Sequence, residues 1–281
     1  MSKVLTANAI ASFDTRVKAA YQKSGMLKSC VTTKDGVVGS THRFNIMGKG
    51  LATKRTPQTD VVPMNITHTN ATATLEDWNA PEYTDIFDQQ KVNYKEQAQL
   101  AFVISSAMGR REDQLILDAL DAASTTLTVA TSVGGADTGL NTAKCRRAKR
   151  LLDDQGVPMG KDDRTFVVST TGMEQLLGDS DANTVDKNVI KALYDGEINV
   201  WLGFTFKPIE IRAEGGLPTA ANVRTNYAFH RAAIGLATGI QRRTEVNYIP
   251  VKTSWLANGI FSAGSVAIDA LGIVEVDTDE S

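Results

Sequence analysis

Most of the residues on which chemistry or membrane insertion depends are scarce in this chain of 281 residues. Nowhere do about 18 apolar residues run together, so no segment is read as a membrane-spanning helix. The opening MSKVLTANAI has no apolar stretch of the kind a secretory leader needs, and the chain is expected to be a soluble protein made in a cytoplasm. Its two cysteines, Cys30 and Cys145, are far apart, with neither a second thiol nor a histidine at metal spacing, and read as reduced structural thiols. The sequons at Asn65 and Asn70 carry no weight without a leader. His42, His68 and His230 are scattered, and HExxH, GxSxG, CxxC and calcium-loop patterns are missing. A net charge of −2 argues against a surface given over wholly to nucleic acid. These gaps shift weight towards a structural role, with no catalytic residue, metal or cofactor expected.

What the chain does have is one long uninterrupted helical pattern, residues 90–122. Leu100, Ala101, Ile104, Met108, Leu115 and Ala119 fall on one stripe, while Gln99, Ser106, Gly109, Arg110 and Asp113 lie elsewhere. A rod of roughly 45 to 50 Å exceeds what a single helix usually spans in one compact domain, so other segments should be laid along it. A shorter amphipathic helix is expected over residues 6–24, capped by Thr6, with Ile10, Phe13, Val17 and Tyr21 at three- and four-residue spacing and Gly25 at its end. It cannot bury that face alone and must dock on this chain or on a neighbour.

Between the two, the pattern turns to β: Val37-Val38, Arg43 to Met47 and Asn65 to Leu75, punctuated by glycine and proline. In NITHTNATATL both alternating faces are mostly Thr, Asn, His and Ala, so this strand has little reason to lie on its own core. An extended ribbon is expected, and its open edge is safest when another subunit covers it. Lys49, Lys54 and Arg55 cluster near its turn, and Glu76, Asp77, Glu82 and Asp85 follow on the return beside Trp78. These eight residues are the candidate subunit contacts.

Residues 124–141 read as a connection, and their GGxxxG spacing lacks the buried strand and following acid of a dinucleotide site. Thr142 to Gln155 is a helix that carries Lys144, Arg146, Arg147, Lys149 and Arg150 within two turns: a candidate DNA-facing cluster or a solvated basic face. The following GVPMGKD has the wrong spacing for a phosphate loop. The pairs Asp153-Asp154 and Asp162-Asp163 suit helix ends and turns. A buried strand at Arg164 to Ser169, a helix with Met173, Leu176 and Leu177 inward, a helical turn at Asn188 to Tyr194, and two strands around Gly203 complete an α/β lobe. NYAFHRAAIGLATG reads as a helix or short strand, followed by strands at Glu245 to Trp255, Gly259 to Ile268 and Leu271 to Val276 and a frayed acidic tail.

The order of these elements resembles the major capsid proteins of tailed double-stranded DNA bacteriophages, whose fold is shared with encapsulin shells and herpesvirus capsid floors. AMGRREDQLILDALDAA is similar to the close of that family's spine helix. DDRTFVVSTTGMEQLLGDS and LYDGEINVWLGFTFKPIEI are similar to its middle lobe, and AFHRAAIGLATG to SVAIDALGIVEVD to its final strands. The resemblance implies an α+β fold with an N-terminal arm (1–39), an extended β-hairpin loop (40–89), a peripheral domain with the long spine helix (90–124 and 224–281) and an axial α/β domain (125–223). It implies pentamers and hexamers that close a shell around packaged double-stranded DNA in a virion assembled in a bacterial cytoplasm, with a portal and, in some relatives, a decoration protein. The sequence shows no long charged coiled-coil extension at its N-terminus, so a separate scaffolding protein is expected. Some relatives crosslink a loop lysine to a neighbour's asparagine. Lys49 and Lys54 lie in that region, but nothing marks the other partners and no crosslink is expected. Two other readings stand beside this one: an encapsulin-like compartment that houses an enzyme, and a two-domain enzyme whose site is built from residues without a recognisable motif.

Overall fold

A computed structural model describes residues 22–87, 96–160, 163–179, 200–212 and 214–280. The expected helical stretches at 6–21 and 188–194, and the first turns of the long helix at 90–95, lie outside them. Residues 22–24 are described and are not helical.

The spine helix, α1, runs from Glu96 to Asp121. Its apolar stripe lies on a five-stranded sheet organised by one long strand, β13 (Ser254–Ala267). On one side β13 pairs antiparallel with β4 (Glu76–Asp85) from Ser254 to Ala263. On the other it pairs first with β12 (Arg243–Ile249) and then with β11 (Ile234–Thr238), which carries β1 (Thr32–Asp35) in parallel at the sheet's end. Gly259 makes the docking close. A Cβ there would stand 2.4 Å from Cγ2 of Ile104 and 2.6 Å from Sδ of Met108, so any side chain at this position would push the helix off the sheet.

The second sheet has seven strands in the order β5 (Thr128–Val129), β14 (Ile273–Asp279), β10 (Val223–His230), β6 (Arg164–Ser169), β8 (Phe204–Ile209) and β7 (Val200–Trp201), with β9 (Thr219–Ala220) paired to β10. Its faces serve two cores. Val167, Tyr227, Phe229 and Ile273 join Ile116, Leu117 and Leu120 of the spine. Phe166, Val168, Phe204, Phe206 and Val274 join Cys145, Ala148 and Leu152 of helix α2 (Thr142–Asp154) and Leu176 of α3 (Thr170–Gly178). Both helices start where the sequence supplies a cap: the Asn141 side chain accepts from the Lys144 N–H at 2.9 Å and the Ser169 hydroxyl from the Gly172 N–H at 2.8 Å. The β7–β8 hairpin turns on Leu202 and Gly203, both at positive φ.

The ribbon is a separate two-stranded sheet, β2 (Thr41–Met47) against β3 (His68–Thr74). Several expectations change here. Val37-Val38 is not a strand. Glu76 to Asp85, read as the ribbon's return, lies in the five-stranded sheet. NYAFHRAAIGLATG forms two strands separated by one short 3-10 turn, not a helix. Both faces of β10 are buried at Tyr227, Ala228 and Phe229, so the alternation that marks a strand is lost and the helical spacing of Phe229, Ala232, Ala233 and Leu236 is incidental. Strands β10 and β14 lie in the seven-stranded sheet and pack Tyr227, Phe229 and Ile273 against the spine. Nor is the acidic tail frayed. It continues β14 to Asp279, and Glu280 pairs with Arg224 at 2.6 Å and also accepts from the Ser169 hydroxyl. Met173 and Leu177 of α3 are only half-buried, while Leu176 is sealed.

Candidate functional site

Two features of this fold point outward or tie its parts together. The first is the ribbon. Phe44 anchors its base, the ring pressed so closely on Gly235 that a Cβ there would lie 2.6 Å from it, and Leu75 N–H donates to the Ser40 carbonyl at 2.8 Å. Beyond Met47 the chain makes a long tip without regular structure, closed by the Gly48 N–H to the Thr67 carbonyl. The tip displays its apolar groups: Leu51 and Val61 are each 84% exposed, and Val62 and Met64 are exposed as well. Apolar side chains held away from their own core mark a surface built to meet another.

Lys49, Lys54 and Arg55 are exposed near or on this tip, but Lys49 is already committed to its own chain, its Nζ donating to the Gln155 carbonyl at 2.8 Å. Glu76, Asp77 and Glu82 are exposed along β4. Asp85 is half-buried and accepts from the Phe87 N–H at 2.7 Å. Trp78 turns inward against the spine core, with the Arg111 guanidinium 4.4 Å over its ring. The structure therefore does not bring the eight candidate contacts together into one patch.

The basic cluster on α2 also divides. Lys144 is sealed from solvent, and its ammonium donates to the carbonyls of Thr138 and Asp277. Burial lowers its pKa to about 8 against the opposing pull of Asp277 and Asp279. It cannot face DNA, because the helix turns that position onto β14. Lys149 pairs with Asp153 at 2.7 Å and Arg150 with Asp154 at 3.7 Å, each one helical turn on. Arg146 is exposed and Arg147 half-buried.

The second feature went unread in the sequence. Over one turn and a half of α1, every polar residue reaches a part of the chain distant in sequence. Arg110 pairs with Glu214 at 2.8 Å and donates to the Gln22 side chain at 2.9 Å. Arg111 covers Trp78. Glu112 pairs with Lys28 at 3.1 Å and Arg242 at 3.2 Å. Asp113 accepts from the N–H groups of Met26 at 3.0 Å and Leu27 at 2.8 Å and pairs with the buried Arg212 at 3.2 Å. Gln114 accepts from the Gly216 N–H at 2.8 Å. Burial pushes the Asp113 carboxyl above its ordinary pKa even though the two N–H donors and Arg212 favour its charged form. This hub fixes the entering chain, both sheets and the spine relative to one another. GRREDQ carried the signal, since such a run of charges on a helix with an apolar stripe must either be solvated or find partners.

A third surface, also missed, lies on the five-stranded sheet. Val246, Tyr248 and Trp255 are exposed on one face, with Tyr248 and Trp255 ring centroids 5.4 Å apart, while Tyr83 on the other face lies under the Lys252 ammonium at 4.0 Å. The edge strand β12 has one partner only. Among the described residues no group of three or more His, Cys, Asp and Glu could hold a metal ion, and no helix is long and apolar enough to cross a membrane.

A spine helix is laid between two sheets, and a ribbon carries a tip that exposes Leu51, Val61, Val62 and Met64. Solved structures that this chain is similar to include phage capsids. It matches the capsid of the cyanophage P-SCSP1u with a TM-score of 0.75 at 15% identity, covering 99% of this chain and 95% of that one. It matches the capsid of Helicobacter pylori bacteriophage KHP30 with a TM-score of 0.77 at 11% identity, covering 100% and 98%. A chain of Mycobacterium phage Che8 gives a TM-score of 0.71 at 16% identity, covering 96% and 97%. No curated protein matches its sequence. The profile of the phage capsid protein family covers residues 5–280, and the chain belongs to that family. It is a structural, non-enzymatic major capsid protein of the virion shell, with the α+β fold of tailed-phage capsids. Neither the cargo compartment nor the two-domain enzyme is favoured.

Proposed function

We propose that copies of this chain tile pentamers and hexamers of an icosahedral or prolate shell around packaged double-stranded DNA. The division of labour follows the sheets. The ribbon reaches across a neighbouring subunit, the spine and five-stranded sheet form the peripheral part, and the lobe of β6 to β8 with α2 and α3 gathers at the five- and six-fold centres. A scaffolding protein and a portal are the partners this reading requires. A decoration protein is an optional addition. Arg146 and Arg150 on α2 are the basic residues left exposed enough for non-specific contact with DNA phosphates.

The observation that carries the reading is the ribbon tip, where Leu51, Val61, Val62 and Met64 stand clear of their own chain on an anchored two-stranded stalk. Replacing residues 51–64 by a short Gly-Ser turn tests it. The variant is expected to keep the circular dichroism and melting temperature of the parent, because the tip packs on neither core, while losing assembly. Shells formed as readily by the shortened chain would contradict the role given to the ribbon.

A further inference from the structure

A shallow groove of about 490 Å³ runs along α3, walled by Met173 and Leu177 with Thr170, Glu174, Gly178 and Pro208. Most of its exposed lining is apolar. The residues just ahead of the described chain arrive beside it. Lys23 donates from Nζ to the carbonyl of Pro208, a wall of the groove, at 3.2 Å and lies 3.8 Å from Glu210. Gln22 is held by Arg110, and Met26 and Leu27 by Asp113, so the point from which residues 1–21 depart is fixed on this side of the molecule. Those residues carry an apolar stripe of Ile10, Phe13, Val17 and Tyr21 that needs a surface. Tyr21 is only two residues from Lys23, a span of at most about 7 Å.

We propose that the apolar stripe of residues 6–21 lies along the α3 groove of its own chain, with Tyr21 and Val17 nearest Pro208 and Phe13 and Ile10 farther along. Charge suits the pairing. The segment has Arg16 and Lys18 against Asp14, and the groove's ionisable rim residue is the exposed Glu174. The contact would join the entering chain to the lobe already tethered to the spine by Arg212 and Glu214, so that arm, spine and lobe form one unit within a subunit. This goes beyond the shell reading and does not depend on it, because the contact is made within one chain.

Paired cysteines in the full-length chain test it. Leu177→Cys is combined in turn with Cys at positions 10, 13, 17 and 21, and with Cys at the off-stripe positions 8, 12 and 19, then oxidised with copper phenanthroline and run on a denaturing gel without reductant. The native Cys30 and Cys145 are buried and serve as background. The proposal expects disulfides at the stripe positions nearest the groove, at least ten times faster than at the off-stripe ones, at the mass of a single chain. Bands at twice that mass would assign the groove to a neighbour's segment and overturn it, as would equal rates at all positions. As a second readout, trypsin cleavage after Arg16 and Lys18 should be at least ten times faster in the Phe13→Asp/Val17→Asp double variant than in the parent. Equal cleavage would also overturn the proposal.

Discussion

Gly25 and Gly109 meet backbone to backbone. A Cβ on Gly109 would stand 2.5 Å from the Gly25 nitrogen, and one on Gly25 would stand 2.5 Å from the Gly109 carbonyl oxygen. The entering chain therefore crosses the spine helix at a point where neither can carry a side chain. Gly109→Ala would gain helix propensity and still lose stability, because Gly25 or the Arg242 side chain at 2.8 Å must move. The expected loss is about 1–3 kcal/mol in urea unfolding. It should come with faster amide exchange at Met26 and Leu27, whose N–H groups depend on Asp113.

The hub makes a stronger prediction at Asp113. Asp113→Ala strands the Met26 and Leu27 N–H groups and removes one of the two carboxylates beside the buried Arg212, the other being Glu210 at 3.0 Å. Breaking a buried pair from one side typically costs about 3–5 kcal/mol. The retained Glu210 places the expectation at the lower end of that range, measured by chemical denaturation.

Acid should act through Glu214. Burial raises its pKa, but hydrogen bonds and charge from Arg110 outweigh that and hold the carboxyl below its ordinary value of 4.5. A depressed folded value means stability that is present above about pH 4.5 and is lost as pH falls through the folded value. At pH 7 the parent should be more stable than Glu214→Gln. Below pH 4.5 the gap should close. Melting curves across that range check the sign, and a gap that widens on acidification would contradict it.

Trp78 and Arg111 should be coupled. A double-mutant cycle with Trp78→Leu and Arg111→Ala is expected to return about 0.5–2 kcal/mol, the range for a guanidinium over an indole that is partly desolvated. Independent effects would mean that the stacking contributes nothing beyond burial.

At the ribbon tip, Lys54 and Arg55 are exposed, whereas Lys49 is occupied by Gln155. If they steer the tip to acidic residues of a neighbour such as Glu76, Asp77 or Glu82, Lys54→Glu/Arg55→Glu should raise the protein concentration needed for assembly about tenfold, and salt should do the same to the parent. Light scattering measures both, and an unchanged threshold would remove charge from the account.

The elements most legible in the sequence were those with one apolar face or none. The spine's stripe at Ile104, Met108 and Ala119 and the polar strand ending in Thr74 each had a pattern that only one structure satisfies. What stayed hidden was burial from both sides. Ser106 and Asp113 were read as lying off the spine's stripe, yet both are buried, as are Glu112 and Gln114, because polar chain segments cover that side of the helix. Lys144 sat in a run of cations that looked solvated, and only the fold shows its ammonium capped by carbonyls. NYAFHRAAIGLATG read as either a helix or a short strand because both faces of the strand at Tyr227 to Phe229 are covered. Such partners come from residues roughly 90 to 130 positions away, a distance over which local periodicity carries no information.

Electron microscopy of the purified full-length chain, raised in concentration, tests the central claim most directly. The account predicts capsomers or curved sheets, in which the tip of each ribbon, residues 48–67, lies over an adjacent subunit, with closed shells expected only when a scaffolding protein is supplied. A chain that stays strictly monomeric at high concentration, or particles in which the ribbons fold back on their own subunits, would contradict it.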